Sequence, residues 1–319
     1  MSQPQQSDVD VWTVGRIIDW TTQHLKKHGS ETPRLDAEIL LAHARGCPRI
    51  QLYVDYAAPL TDAQRASMRE FVQRRAQAEP VAYLVGKREF FGLDFRVTPD
   101  VLIPRPETET LVLELVTAAR KRAGINANGE PAPPESDSGP AASGHLAPLR
   151  ILDLCTGSGC IAVASAVNLP DAQVTAIDIS APALAIARQN AEAHRVAQRI
   201  RFLAGDLFAP LKPDEQFEFI VSNPPYVADG EMATLPADIR KHEPHLALQA
   251  GPRGLDVIVR LIAGVPGHLA PGGLLLIEFS PEQTPAVTEL TTAEDSLELL
   301  RVLKDVAGKP RALLARRRM

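Results

Sequence analysis

The amino-terminal part of the chain carries apolar residues at helical spacing. Three runs show this pattern, at residues 10–29, 33–46 and 61–79. The first ends at Gly29 and the second at Gly46, and the third starts at Thr61, a favourable N-cap residue. We therefore predict a small helical domain over residues 1–86.

The third predicted helix carries a cluster of basic residues. They are Arg65, Arg69, Arg74 and Arg75. A basic helix face is most often simply solvated, and binding of a partner is the alternative.

A strand pair and a proline-rich segment follow the helical domain. Residues 89–97 alternate in polarity around a Gly-Leu-Asp turn, which is typical of two short strands. Arg105 then stands between Pro104 and Pro106, ahead of a helix predicted from Glu107 to about Ala123. This arrangement fits a defined contact made by Arg105, and it fits a rigid connector between domains equally well. We assign residues 87–105, which include the strand pair, to the connector.

From Arg150 onward strands and helices alternate. The predicted strands are 150–154, 173–178, 200–204, 217–222, 273–279, 298–303 and 311–315. The predicted helices are 160–168, 181–194, 254–269 and 282–291. Such alternation predicts an α/β domain over residues 106–319, with a doubly wound parallel sheet of seven strands. No helix separates the last two strands, so we expect them to pair antiparallel at one edge.

Residues 124–148 interrupt this domain. They are rich in Pro, Gly, Ser and Ala and nearly lack large apolar side chains. We predict a disordered surface insertion.

Composition limits the class of protein. Of the 319 residues, 45% are hydrophobic and 23% charged, and the net charge is −5, which provides no overall basic field for nucleic acid. The three cysteines form no Cys-x-x-Cys pair, so we expect neither disulfides nor a metal site. The polar start of the chain and the lack of a long apolar run predict a cytoplasmic protein without a membrane partner.

The strand at 217–222 leads into Asn223, Pro224, Pro225 and Tyr226. Two consecutive prolines fix the backbone where the strand ends, at the sheet edge where α/β proteins bind ligands. The Asn223 side-chain oxygen and the Pro224 carbonyl can accept hydrogen bonds from one planar NH₂ group, and Pro225 and Tyr226 can line it. Taken alone, the motif also fits a strand that simply ends at a proline turn.

A glycine turn follows the strand at 150–154. Gly157 and Gly159 permit close approach of a ligand to the start of the next helix. A nicotinamide or flavin site is an alternative, but Ala162 stands where that fingerprint has its third glycine.

Acidic residues also follow three successive strands, namely Asp153, Asp178 and Asp206. Each alone fits a turn former, but together they suit a ligand with an amine, a ribose and an adenine and without phosphate. S-adenosylmethionine has this composition.

The chain resembles the HemK-type peptide chain release factor glutamine methyltransferases over nearly its whole length. The resemblance is carried by residues 33–41, 80–84, 88–92 and 103–109 (which contain Pro-Arg-Pro-Glu-Thr-Glu), the glycine turn, residues 223–226, Glu243-Pro244, Ala247-Leu248 and residues 304–311. Cys155 and Ser280 depart from the family pattern, in which glycine is usual at both positions. Neither departure removes a group that the chemistry needs.

The resemblance implies a Rossmann-like S-adenosylmethionine-dependent methyltransferase domain that follows the helical domain. It also implies that the helical domain, residues 1–86, recognises the substrate. It implies methylation of the side-chain nitrogen of the glutamine in the Gly-Gly-Gln motif of release factors. The implied catalytic residues are Asn223, Pro224, Pro225 and Tyr226. The implied cofactor-binding residues are Asp153, Cys155, Thr156, Gly157, Ser158, Gly159, Asp178, Asp206, Leu207 and Asn223. The implied substrate-binding residues are Leu102, Arg105, Asn223, Pro224, Pro225 and Tyr226.

Three other functions compete with this one. A sister family that methylates a glutamine of a large-subunit ribosomal protein shares the Cys-Thr-Gly-Ser-Gly-Cys string. A nucleic-acid methyltransferase can hold an exocyclic amine with the same Asn-Pro-Pro-Tyr motif, but it calls for aromatic stacking and a basic channel. Aromatic residues are 5% of this chain, and we expect no direct nucleic-acid binding. The third alternative is a non-catalytic, translation-associated binding protein. Such a protein would have no reason to keep both the glycine turn and the Asn-Pro-Pro-Tyr motif.

Overall fold

The computed structural model describes residues 11–124 and 148–319. These residues form two compact units. The first contains the described residues up to Lys87 together with Pro236–His242, and the second contains those of Arg88–Leu235 and Glu243–Met319. The predicted insertion falls, except for its end positions, outside the described residues. None of the helices in the described ranges has the length and apolarity required to cross a bilayer.

The first unit is helical. Its helices up to Lys87 are α1 (Val14–Lys27), α2 (Pro33–Arg45), α3 (Arg49–Val54), α4 (Asp62–Ala76) and α5 (Val81–Val85). The three predicted helices correspond to α1, α2 and α4. The prediction of three was wrong because α3 and α5 have six and five residues, too few to show a period. The segment Pro236–His242 was also not expected to group with these helices.

Local sequence signals explain where these helices begin and end. Thr61 forms a capping box with Gln64, in which the Thr61 hydroxyl accepts from the Gln64 N–H at 3.2 Å. Gly46 ends α2 in the left-handed conformation, with φ of 64°. Apolar side chains of α1, α2 and α4, including Ile18 and Leu40, form the core of the unit.

Arginines of α4 are paired inside the first unit. Arg75 lies 2.8 Å from the buried carboxylate of Asp36, and Arg74 lies 2.6 Å from Glu79. Arg65 pairs with Asp62. These ion pairs favour the interpretation of this helix face as a structural and solvated one.

The second unit opens with a hairpin and a helix. These elements are β1 (Lys87–Phe90), β2 (Leu93–Arg96) and α6 (Glu109–Arg122), with a 3₁₀ turn at Pro106–Thr108 before α6. The predicted Gly-Leu-Asp turn was misplaced, because Leu93 and Asp94 already belong to β2. Phe91 and Gly92 make the turn, with φ of 53° and 72°.

The sheet of the second unit has seven strands. They are β3 (Arg150–Leu154), β4 (Gln173–Asp178), β5 (Ile200–Ala204), β6 (Phe217–Ser222), β7 (Leu269–Glu278), β8 (Leu297–Lys304) and β9 (Pro310–Arg317). The further helices are α7 (Cys160–Asn168), α8 (Ala181–Ala193), α9 (Ala237–His242, grouped with the first unit), α10 (Asp256–His268) and α11 (Thr284–Ala293). The predicted fold class is confirmed.

The strand order is β5–β4–β3–β6–β7–β9–β8. Strands β3 to β7 pair in parallel, and β9 pairs antiparallel with both β7 and β8, as expected for the last two strands. The chain runs outward from β3 to β5 and then returns to β6 on the other side of β3. The carboxyl ends of β3 and β6 meet in register, with Leu154 opposite Ser222, so this switch point is where a ligand site is expected.

Side-chain alternation gives the sheet two buried faces. Ile151 and Phe219 point into one apolar core, while their neighbours Leu152 and Ile220 point into the other. Residues of α6, α7 and α8 complete the first core, and residues of α10 and α11 complete the second. The sheet edge that carries the predicted motifs is therefore held by a core on each side.

Candidate active site

Asn223 lies directly after β6, at the switch point of the sheet. Its side-chain nitrogen donates to the Thr108 hydroxyl at 3.0 Å, and Thr108 is only 1% exposed. The preceding residue, Ser222, donates through its hydroxyl to the Leu154 carbonyl at 2.8 Å, which ties the ends of β6 and β3 together. The Asn223 carboxamide is therefore held in a fixed place beside the glycine turn.

Tyr226 is held at both its hydroxyl and its backbone. Its hydroxyl donates to Oε1 of the buried Glu278 at 3.2 Å, and its carbonyl accepts from the Gln283 side chain at 2.9 Å. Burial, and then the nearby Glu278 carboxylate, raise the pKa of Tyr226, so the phenol stays protonated at neutral pH. The Tyr226 hydroxyl is therefore a hydrogen-bond donor here, and not a base.

The glycine turn after β3 has three residues in the left-handed conformation. They are Cys155, Gly157 and Gly159, with φ of 60°, 54° and 79°. Cys155 is strained there, because an L side chain in this conformation costs about 1–2 kcal/mol. This backbone explains why glycine is usual at that position. Burial raises the pKa of the Cys155 thiol, which keeps it neutral.

Asp153 is fully buried beneath the turn. One carboxylate oxygen accepts from the Thr156 hydroxyl at 2.5 Å and from the Ala162 N–H at 3.1 Å. Burial, with the neighbouring Asp178 charge, raises the pKa of Asp153 to about 7 against the pull of these hydrogen bonds. Oδ2 of Asp153 therefore holds the turn, while Oδ1 is buried and has no hydrogen-bond partner among the described residues. Binding of an ammonium group by Asp153 stays a prediction.

Asp178 ends β4 and faces the turn from the other side. Its two carboxylate oxygens accept from the Gly157 N–H at 2.8 Å and the Ser180 N–H at 2.9 Å. Burial raises the pKa of Asp178, and these two hydrogen bonds oppose the shift. Carboxylate oxygens have further lone pairs, so Asp178 can still accept from a ligand.

Asp206 and Leu207 follow β5. The Asp206 carboxylate lies 2.5 Å from the Arg260 guanidinium at the surface, and Leu207 is buried with φ of 49°. Asp206 is thus an acceptor whose charge is already balanced by Arg260.

A clamp of three residues holds the segment before α6. One oxygen of the buried Glu243 carboxylate lies 2.5 Å from the Arg105 guanidinium, and the other accepts from the Ile103 N–H at 3.2 Å. Leu102 stands beside this anchored segment. Arg105 was predicted to contact substrate; in the structure its guanidinium is paired with Glu243, and the substrate contact stays a prediction.

A cavity of about 230 Å³ lies at this edge of the sheet. The predicted site residues that line it are Leu102, Cys155, Gly157, Asp178, Asp206, Leu207, Asn223 and Pro225. The predicted residues that lie outside its lining are Arg105, Asp153, Thr156, Ser158, Gly159, Pro224 and Tyr226. Residues of the glycine turn, of the strand ends and of the Asn-Pro-Pro-Tyr motif therefore meet at one cavity.

Some lining residues were not predicted. Ile179 and Leu246 are large apolar residues that are more than half exposed and border the cavity, together with Pro244 and Gln249. Exposed apolar side chains beside a cavity suit the flat faces of a heteroaromatic ring. The position of these residues in the sequence was the available signal. Ile179 directly follows Asp178, and Pro244 and Leu246 lie within residues 243–248, part of which contributes to the family resemblance.

Comparisons with known proteins identify the class to which this chain belongs. Residues 144–247 match the family model described as the methyltransferase small domain, and residues 16–86 match the PrmC N-terminal domain. The hMettl16 catalytic domain, solved in complex with an RNA hairpin, superposes with a TM-score of 0.50 at 15% identity, covering 77% of this chain and 81% of that chain. The fold and the family match make this chain a methyltransferase.

Curated relatives give the family. The release factor glutamine methyltransferase of Rhodopirellula baltica is 44% identical over 302 residues, covering 95% of each chain. The one of Geobacter sulfurreducens is 39% identical, covering 87% of this chain and 88% of its own. The chain belongs to the family of release factor glutamine methyltransferases.

S-adenosylmethionine is the methyl donor of this class, and the hydrogen-bonding groups of the cavity fit this molecule. The cavity presents acceptors, Asp178, Asp206 and Asn223, which suit the amine and hydroxyl groups of this molecule. Among the described residues that line the cavity, Arg260 is the only Lys or Arg, and it is paired with Asp206. A phosphate-bearing cofactor would call for more positive charge.

Proposed function

We propose that this methyltransferase modifies the side-chain nitrogen of the glutamine in the Gly-Gly-Gln motif of peptide chain release factors. We further propose that Asn223, Pro224, Pro225 and Tyr226 form the catalytic site. The names of the curated relatives support the substrate. The observation that carries the site is the Asn223 carboxamide, which borders the cavity and is anchored through its nitrogen to Thr108.

The chemistry requires orientation more than a base. An amide nitrogen is a weak nucleophile because its lone pair is delocalised into the carbonyl. The Asn223 side-chain oxygen and the Pro224 carbonyl accept the two hydrogens of the substrate NH₂ and direct its nitrogen toward the methyl group. Bound S-adenosylmethionine supplies that methyl group on a positively charged sulfonium. Transfer of the methyl group would carry its positive charge to the amide nitrogen and leave a neutral thioether. The cationic methylated amide is strongly acidic and loses its extra proton to nearby acceptors or water.

The cofactor and substrate residues have separate tasks in this proposal. The glycine turn, Asp178 and Asp206 hold the cofactor, while Asp153 and Thr156 support the turn. Leu102 and Pro225 border the slot for the glutamine, and Arg105 holds Leu102 in place through Glu243. Two glycines in the substrate motif permit a narrow entrance, so steric exclusion supplies part of the specificity.

The partner in this proposal is a protein, and the location is the cytoplasm, where translation takes place. The net charge of −5 disfavours direct nucleic-acid binding. Methylation of a ribosomal protein glutamine is the competing activity within the same chemistry.

Mass spectrometry of a purified release factor incubated with the enzyme and S-adenosylmethionine tests the function. We expect one added methyl group on the Gly-Gly-Gln glutamine, and none with Asn223→Ala. A release factor with glutamate in place of that glutamine is the matched substrate control. Methyl transfer to ribosomal protein or RNA in place of the release factor would reject the proposal.

A further inference from the structure

The turn between β8 and β9 has no task in the proposed mechanism, although residues 304–311 contribute to the family resemblance. Strand β8 ends at Lys304, and β9 pairs antiparallel with β7, with Ala312 opposite Glu278. The turn therefore lies at the edge of the sheet where the parallel strands end. The proposed catalytic motif lies at the same edge. We call residues 305–309 the β8–β9 turn.

The β8–β9 turn is braced from inside by one carboxylate. Asp305 is 7% exposed, and its Oδ1 accepts from the Ala307 N–H at 2.9 Å and from the Lys309 N–H at 3.0 Å. Its Oδ2 accepts from the Arg311 guanidinium at 3.1 Å. Gly308 has a φ of 77°, and its N–H donates to the Asp305 carbonyl at 2.9 Å. These bonds hold the turn in one shape, and a loop that is already fixed loses little entropy when it binds a partner.

Backbone and side-chain hydrogen bonds connect this brace to the catalytic motif. The Arg311 carbonyl accepts from the Phe279 N–H at 2.9 Å. The residue before Phe279 is Glu278, which accepts from the Tyr226 hydroxyl at 3.2 Å. Strands β7 and β9 therefore hold the β8–β9 turn at a fixed place relative to Tyr226.

The strand order gives this edge of the sheet a cofactor half and a second half. Residues that follow β3, β4 and β5 line the cavity, together with Asn223 and Pro225 after β6. Among the described residues that line it, none belongs to β7, β8, β9 or the β8–β9 turn. A nucleophile attacks a methyl group from the side opposite the sulfur, so the glutamine has to reach Asn223 from the half away from the cofactor. That half contains the end of β7 and the β8–β9 turn.

A protein that brings its glutamine to Asn223 from this half would meet the β8–β9 turn. Neighbouring strands lie about 4.8 Å apart, which places β9 roughly 10 Å and β8 roughly 14 Å from β6. A glutamine side chain extends only about 5 Å from its own backbone, so the main chain of the partner must come close to the turn. The Val306 side chain is 100% exposed there, and the exposed Lys304 and Lys309 stand on either side of it in sequence.

We propose that the β8–β9 turn is a docking surface for the release factor, in which Val306 makes an apolar contact and the two flanking lysines face acidic groups of the partner. This inference rests on the proposed function. A single exposed valine is common on protein surfaces and indicates nothing by itself. Here the valine stands on a braced turn, on the half of the sheet edge from which the substrate approaches, and this combination fits a protein substrate.

Steady-state kinetics with a purified release factor test the docking surface. We expect Val306→Asp to raise the KM for the release factor about 10-fold, because a charge replaces an apolar contact, while kcat and the Kd for S-adenosylmethionine stay unchanged. Its Tm should equal that of the parent, since a fully exposed side chain contributes little to folding. Met319→Asp is the matched control, because Met319 is equally exposed and follows β9 at the opposite edge of the sheet. It should keep the parent KM.

The double variant Lys304→Gln, Lys309→Gln tests the charges independently of Val306. We expect it to raise the KM for the release factor several-fold at low ionic strength and less at high ionic strength, because salt screens exposed charges. The parent KM at low ionic strength would reject the role of the two lysines.

Activity of the parent enzyme separates this inference from the proposed function. If the parent methylates the release factor and Val306→Asp keeps the parent KM, the docking surface is rejected and the function stands. A lower kcat of Val306→Asp at an unchanged KM would also reject docking, because the turn would then act on the catalytic motif. If the parent methylates no release factor, the proposed function fails and this inference fails with it.

Discussion

The Glu243 carboxylate receives the Arg105 guanidinium at 2.5 Å and, through its other oxygen, the Ile103 N–H at 3.2 Å. One buried side chain thereby fixes both the backbone and the side chain of a segment 138 residues away in sequence. This segment adjoins Leu102 on the cavity wall. The clamp therefore fixes the chain beside one wall of the cavity.

Removal of the clamp should therefore affect activity and stability together. We expect Glu243→Ala to lower the free energy of unfolding by about 1–3 kcal/mol, discounted from fully buried pairs because the Arg105 side chain is 27% exposed. We also expect a raised KM for the release factor. Urea unfolding and steady-state kinetics measure these effects. Glu298→Ala, which breaks the exposed pair with Arg316, is the matched control and should change neither.

Gly254 lies against the backbone of Tyr226. A Cβ added at Gly254 would stand 2.2 Å from the Tyr226 carbonyl oxygen, and φ is +66°. We expect Gly254→Ala to cost about 2–3 kcal/mol of stability and to lower kcat, because the chain after Pro225 must shift. Gly230→Ala is the matched control, because a Cβ added at Gly230 meets no atom within 4 Å. Equal effects of Gly254→Ala and Gly230→Ala on Tm and kcat would contradict this expectation.

Asp153 should make stability fall as pH rises. Its pKa is near the ordinary value of 3.8 in the unfolded chain and about 7 in the folded protein, so the folded state binds more protons between these values. The folded state therefore loses about 2–3 kcal/mol from this group between pH 5 and pH 8. Asp153→Asn cannot titrate and should show a smaller loss over the same range. Urea unfolding of both proteins at the two pH values checks this, and parallel curves would exclude Asp153 as the source.

The left-handed backbone at Cys155 should be relieved by glycine. We expect Cys155→Gly to stabilise the protein without cofactor by up to about 1 kcal/mol, since relief of the strain outweighs the removal of the packed thiol side chain. Gly157→Ala is the reverse experiment, since a Cβ there meets no neighbour within 4 Å and only the φ of +54° opposes it. It should destabilise by a similar amount. If the Tm values of Cys155→Gly and Gly157→Ala both rise or both fall, backbone strain does not control stability at this turn.

The sequence predicted the sheet well because its strands are continuous apolar runs. The bounds predicted for β3 to β6 agree with the structure. Both faces of β3, β4 and β6 are largely buried, while the edge strand β5 buries mainly one face. For β7 the predicted start at residue 273 was late, because Pro271 and two glycines concealed the pairing of Leu269 with Phe217 across a bulge. The short helices α3, α5 and α9 had too few residues for a periodic signal.

The site was predictable in its motifs but not in its contacts. Asn223 and Gly157 follow strand ends that local pattern identifies, and both border the cavity. Thr108 and Glu278 contribute through hydrogen bonds across 115 and 52 residues, to Asn223 and Tyr226 respectively. Such pairings depend on the three-dimensional arrangement of the sheet, which no local pattern encodes.

The place of β9 has a consequence for the growing chain. β9 follows β8 in sequence but lies between β7 and β8, so β7 keeps an unpaired edge until residues 310–317 have been synthesised. An open, apolar strand edge is a template for pairing with other chains. On the ribosome, the two strands beyond β7 can therefore pair with the sheet only after residues 310–317 have emerged, and until then the open edge of β7 is exposed to aggregation.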